Sequence, residues 1–138
     1  MITGPRKSYR KPYDKQDLSL PRVSVVTPSY NQGQFIEETI LSVLDQNYQN
    51  LEYIIIDGGS TDNSIDIIRQ HERELAFWIT EKDRGQSHAI NKGWERSTGE
   101  ILAYLNSDDS YEPNALFHIV EFFNNHSEVS MVYGNCNI

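Results

Sequence analysis

Only one cysteine, Cys136, occurs in the 138 residues. No intrachain disulfide can therefore form, and a reducing, cytoplasmic setting is expected. No run approaches the roughly 18–20 consecutive apolar residues that span a bilayer. Basic charge is also scarce: 12 Lys and Arg stand against 20 Asp and Glu, a formal net charge of −8. Sequence-independent nucleic-acid binding needs a basic face, so this balance argues against it. Behind the polar, basic N-terminus there is no apolar stretch, which predicts that it is not a secretory signal. A P-loop, a GxGxxG fingerprint, zinc-ligand spacing and a nucleophilic triad are all missing. Their absence argues against a P-loop ATPase and an ordinary dehydrogenase.

What is there is one soluble domain with an arm. Residues 1–20 lack periodicity and carry Arg6, Lys7, Arg10, Lys11 and Lys15. Such a cluster reads as a solvated, flexible arm, with a membrane-surface or partner contact as the alternative. That alternative would place the protein at the inner face of the membrane. From residue 21 to 138 short apolar runs alternate with helical spacing. Strands are expected at 23–27, 51–56, 77–80, 101–105 and 129–133. Between them Phe35, Ile36, Ile40, Val43 and Leu44, then Ile65, Ile67 and Ile68, then Ala89, Ile90 and Trp94 recur at helical intervals. Ser60 is placed as the cap of the second helix, and Pro113 in the first turn of the fourth. The order βαβαβαβαβ, with strands apolar on both faces, predicts an α/β fold: a mostly parallel, Rossmann-like sheet with helices on both sides.

In such sheets ligands bind beyond the carboxyl ends of the strands. The unusual residues fall there: Thr27, Pro28, Ser29, Tyr30 and Asn31, then Asp57, Gly58, Gly59 and Ser60, then Asp83, Arg84 and Gly85, then Asn106, Ser107, Asp108 and Asp109. Asp57 can accept from a ring N–H or a ribose hydroxyl, or can sit in a solvated capping turn. Tyr30 can stack on a base or pack on the sheet edge. Arg84 offers a planar fork for phosphate, or an ion pair with Asp83. His88 is close enough in the chain to line the same site. Asp108 and Asp109 suit a hard divalent cation, Mg2+ or Mn2+, shared with phosphate oxygens, or an Asx-type turn.

Four segments carry a resemblance when taken together: VSVVTPSYNQGQFIEETILSVLDQNY, LEYIIIDGGSTDNS, EKDRGQSHAINKGWERSTGEI and LAYLNSDDSYEPNAL. In this order and at these spacings the chain resembles the N-terminal, nucleotide-sugar-binding part of a family 2 glycosyltransferase with the GT-A fold. The resemblance implies that Thr27, Pro28 and Tyr30 border the base and ribose of a nucleoside diphosphate sugar, with Asp57 fixing the base. It puts Arg84 near the ribose or diphosphate. Asn106, Ser107 and Asp108 occupy the family's DXD position, with Asp108 as the metal ligand and Asp109 in support. The chain departs from the family pattern at Asn106, where Asp is common, and at Gly58, where a second acid is common.

The resemblance further implies a metal-dependent, inverting transfer to a saccharide or lipid-linked acceptor. The family's catalytic base lies beyond the fourth helix, and no residue here matches it. The acceptor-binding part is therefore expected to be missing, and the sheet truncated. An uncovered apolar edge at 129–133 is then expected to favour self-association. Two other readings stand beside this one. One is a non-catalytic nucleotide-sugar-binding fragment. The other is a sugar-phosphate nucleotidyltransferase, although no cation lies between Thr27 and Gly33 to serve its phosphate loop.

Overall fold

A computed structural model describes residues 19–137. The basic cluster expected to form an arm lies outside the described residues. Four parallel strands form one sheet: β1 (Val23–Ser29), β2 (Leu51–Asp57), β3 (Phe77–Thr80) and β4 (Ile101–Tyr104), in the order β3-β2-β1-β4. Helices α1 (Ile36–Leu44), α2 (Ser64–Gln70), α3 (Gln86–Arg96) and α4 (Ala115–Asn125) follow the successive strands. Every residue of β1 and β2 is buried, as expected of central strands that carry apolar side chains on both faces.

Alternation along those strands divides the core between two faces. Val23, Val25, Tyr53 and Ile55 pack with Ile36 and Ile40 of α1, Ile68 of α2 and Leu116 of α4. On the opposite face Val26, Ile54 and Ile56 pack with Ala89 and Trp94 of α3. Helix α3 lies close to the sheet because residue 93 is glycine: a Cβ there would come within 2.4 Å of Val26 Cγ1.

The amino end of the sheet is fastened by a buried acid. Glu52 accepts from Ser24 Oγ, from the Thr98 N–H and from Thr98 Oγ1, each at 2.8 Å, and pairs with Arg22 at 3.2 Å. Burial pushes the Glu52 carboxyl up. The donors of Thr98 and Ser24 and the Arg22 guanidinium outweigh that effect and hold it below its ordinary value.

Three expectations need correction. Residues 129–133 form no strand; Met131 and Tyr133 are strongly exposed. A short β-branched run becomes a strand only against a neighbour, and none lies beside it among the described residues. The outer strands of the sheet are β3 and β4, and on β4 Leu102 and Tyr104 are about half exposed. Helix α2 begins at Ser64 rather than after Ser60, because Ser60 bonds to Asp57 instead. Pro113 precedes α4, and Asn114, with φ 64°, separates it from the helix.

Candidate functional site

The strand order reverses at β1: β2 and β3 build outward on one side and β4 returns to the other. Such a switch point opens a crevice above the carboxyl ends of the strands. A cleft of about 740 Å³ lies there. Its lining comes from all four strand ends: Pro28, Ser29 and Tyr30 at the end of β1, Gly58 and Gly59 after β2, Lys82, Asp83, Gly85 and Gln86 after β3, and Asn106, Ser107 and Asp108 after β4.

Local hydrogen bonds fix each wall. Asn31, at φ 51°, accepts the Thr61 N–H on Oδ1 at 2.8 Å and donates its own N–H to Ser60 Oγ at 2.9 Å. The Gln32 N–H reaches Ser64 Oγ at 3.0 Å, and the Gly33 N–H reaches Asp62 Oδ2 at 2.9 Å. The loops after β1 and β2 are thus stitched into one rim. The Ser64 hydroxyl and N–H, with the Gly33 N–H, hold the Asp62 carboxyl below its usual range.

The turn after β4 is fastened from below by α1. Thr39 Oγ1 donates to the Asp109 carbonyl at 2.6 Å, Ser42 Oγ accepts the Tyr111 N–H at 3.1 Å, and Gln46 bonds to the Glu112 carbonyl and the Leu116 N–H at 2.8 and 3.1 Å. These three polar side chains were not singled out in the sequence. Their signal was hydrogen-bonding residues three and four apart on and just beyond an otherwise apolar helix face.

Of the expected site residues, Pro28, Tyr30, Asn106, Ser107 and Asp108 meet at the cleft. Asn106 is engaged, its Oδ1 accepting from Gln86 Nε2. Asp108 is exposed, and no protein donor or cation among the described residues pairs with its carboxylate. Ser29 contributes a buried hydroxyl with no partner among the described residues, which leaves a hydrogen bond for water or a ligand.

Four expected residues do not line the cleft. Thr27 is fully buried and shares a 2.9 Å hydrogen bond with the Tyr53 hydroxyl between sheet and helices. Asp57 is fully buried as well, behind the two glycines: Oδ2 accepts from the Gly59 and Ser60 N–H groups and from Thr80 Oγ1, and Oδ1 accepts from Ser60 Oγ. Arg84 is exposed and its main-chain N–H donates to His88 Nδ1 at 3.0 Å; Lys82 is the cation on the wall instead. Asp109 contributes its main chain to the turn, through Thr39 and through an N–H bond to the Asn106 carbonyl.

The donor set fits a hard cation shared with a ligand. Among the described residues no three acids, histidines or cysteines cluster, so a protein-only cage is not available. A single carboxylate completed by water and phosphate oxygens is the arrangement magnesium-like ions adopt. Across the cleft, Lys82 is the cation on a wall that also carries Asp83, Gly85 and Gln86 at the start of α3.

Comparison with known proteins decides the lineage: the profile of glycosyl transferase family 2 matches residues 24–137. The chain belongs to glycosyl transferase family 2. It is 42% identical over 105 residues to the putative teichuronic acid biosynthesis glycosyltransferase TuaG of Bacillus subtilis, covering 74% of this chain and 42% of that protein. Among solved structures it resembles the mannosyltransferase PcManGT of Pyrobaculum calidifontis, solved with GDP-Man and Mn2+. That match has a TM-score of 0.64 and 30% identity, over 71% of this chain and 30% of that one. S. aureus TarS, solved with UDP-GlcNAc, shares the fold at a TM-score of 0.71 and 23% identity, over 77% of this chain and 32% of the TarS chain. The fold is GT-A, as the motifs implied, and the chain spans less than half the length of the curated relatives it matches.

Proposed function

We propose that this domain binds the nucleoside diphosphate sugar of a metal-dependent, inverting glycosyltransferase. In the complete enzyme the sugar would pass to a polysaccharide or glycolipid acceptor. One observation carries the reading: the three residues at the DXD position meet Pro28, Tyr30 and the glycine pair around a single cleft at the switch point. The relatives solved with GDP-Man and Mn2+ and with UDP-GlcNAc support a nucleotide sugar as the ligand class.

The roles follow from chemistry. Tyr30 offers a ring face to the base, beside the glycine pair at the end of β2. Lys82 and the start of α3 face the diphosphate. Asp108 would hold the cation, with Asn106 kept in place by Gln86. Such a cation, when bound, would offset the charge that builds on the departing diphosphate. The general base for the acceptor hydroxyl is assigned to the part of the relatives beyond the matched span. This chain is accordingly expected to bind donor, with transfer appearing in a longer form.

Titration calorimetry with UDP and with GDP, with and without Mn2+, tests the reading. Binding of at least one that requires Mn2+ and is lost in Asp108→Ala is expected. Binding indifferent to both metal and Asp108 would contradict it.

A further inference from the structure

We propose that Asp83 reads the base of the nucleotide and restricts the donor to bases with a ring N–H beside a carbonyl: uracil, thymine or guanine. This rests on the donor-site reading above and goes beyond it by naming the base class and the residue that selects it.

The starting observation is steric. Gly58 and the Asp83 carboxylate share one space: a Cβ built on Gly58 would lie 2.8 Å from Asp83 Oδ2 and 3.1 Å from its Cγ. The backbone does not call for glycine there, since the described glycines with positive φ are Gly59 and Gly85. What calls for it is the carboxylate lying over it. An acid reaching into the cleft from position 58 is thereby exchanged for one reaching the same place from the loop after β3.

The exchanged carboxylate is free to act. Asp83 lines the cleft and is half-buried. Its Oδ1 accepts the Gly85 N–H at 2.9 Å, which fixes the side chain on its turn. Among the described residues no donor or cation pairs with Oδ2, the oxygen nearest Gly58. Asp57, the acid expected to meet the base, has both oxygens engaged within the fold and no exposed surface. The open acceptor above the glycine pair therefore belongs to Asp83.

An ionised carboxylate only accepts hydrogen bonds. Uracil and thymine offer N3–H to it, and guanine offers N1–H with the amino group beside it. Cytosine N3 and adenine N1 carry lone pairs, which would face the carboxylate with no proton between; their amino groups donate only from the neighbouring position, so that bond comes with the repulsion beside it. A site built around one hydrogen bond rejects the analogue that cannot make it, because a partly buried polar group is then left unpaired.

The test is calorimetric titration of the chain with UDP, GDP, CDP and ADP, each with Mn2+, for wild type, Asp83→Ala and Asp83→Asn. Wild type is expected to bind UDP or GDP at least about tenfold more tightly than CDP and ADP, the range for a hydrogen bond to a charged group. Asp83→Ala should bring the four ligands within about threefold of one another. Asp83→Asn, whose amide also donates, should gain affinity for CDP relative to UDP, and it keeps the test sound if the alanine variant is unstable. Preference retained in both variants, or absent in wild type, would overturn the assignment of Asp83 while leaving the donor site intact. Failure of every diphosphate to bind would overturn both.

Discussion

The Thr39 hydroxyl donates to the Asp109 carbonyl at 2.6 Å, tying the buried face of α1 to the turn that carries Asp108. Thr39 is almost fully buried. Through this bond a helix with no residue in the lining of the cleft sets where the acid stands. Thr39→Val keeps the shape and removes the donor, at an expected cost of about 1 kcal/mol in stability. The loss of metal-dependent nucleotide affinity should be larger than this small destabilisation implies, because the turn is released next to its ligand. Thr39→Ser should restore both. Urea melts and calorimetry on the two variants measure the comparison.

Glu52 fastens the far end of the sheet, so its titration should affect stability rather than binding. Its carboxyl is held below its ordinary value of 4.5 in the fold. A depressed folded-state value means that the stabilisation is fully present above about pH 4.5 and is lost as the pH falls through the lower folded value. Melting temperature should therefore decline on acidification below pH 4.5. In Glu52→Gln that part of the decline should disappear, from a starting point lower by roughly 1–2 kcal/mol at neutral pH. Thermal melts between pH 7 and 3 follow both.

Asp57 serves the loop rather than the ligand. Asp57→Ala leaves two main-chain N–H groups and two hydroxyls short of their shared acceptor. A loss of roughly 2–4 kcal/mol is expected, with nucleotide binding weakened equally for every base. A variant that keeps its stability but changes its preference among bases would return Asp57 to direct contact with the base.

The parallel direction of the strands was legible because β1 and β2 carry apolar residues on both faces and alternate with helices, and polar turns at the carboxyl ends located the cleft. Pro28, Tyr30, Asn106, Ser107 and Asp108 were found in this way. Which side chains turn inward was not legible. One step along a strand reverses the facing, so Thr27 meets Tyr53 inside the fold while its neighbour Pro28 lines the cleft. In the loop after β3, Asp83 and Arg84 are adjacent in sequence. The turn that gives Asp83 the cleft depends on Gly85 at φ 110° and on its N–H bond to Asp83, which composition does not reveal. Strand formation at 129–133 depended on a distant neighbour, and local pattern carries no information about that.

The most direct test of the donor site is paramagnetic broadening by Mn2+ in the amide spectrum of the isotope-labelled chain, recorded with UDP or GDP. Broadening should centre on residues 106–109 and extend to Gly58, Gly59, Gly85 and Gln86 across the cleft. It should spare Arg22, Glu52 and Gly99 at the other end of the sheet, and it should vanish in Asp108→Ala. Broadening centred away from the cleft, or unchanged when nucleotide is omitted and Asp108 removed, would contradict the account.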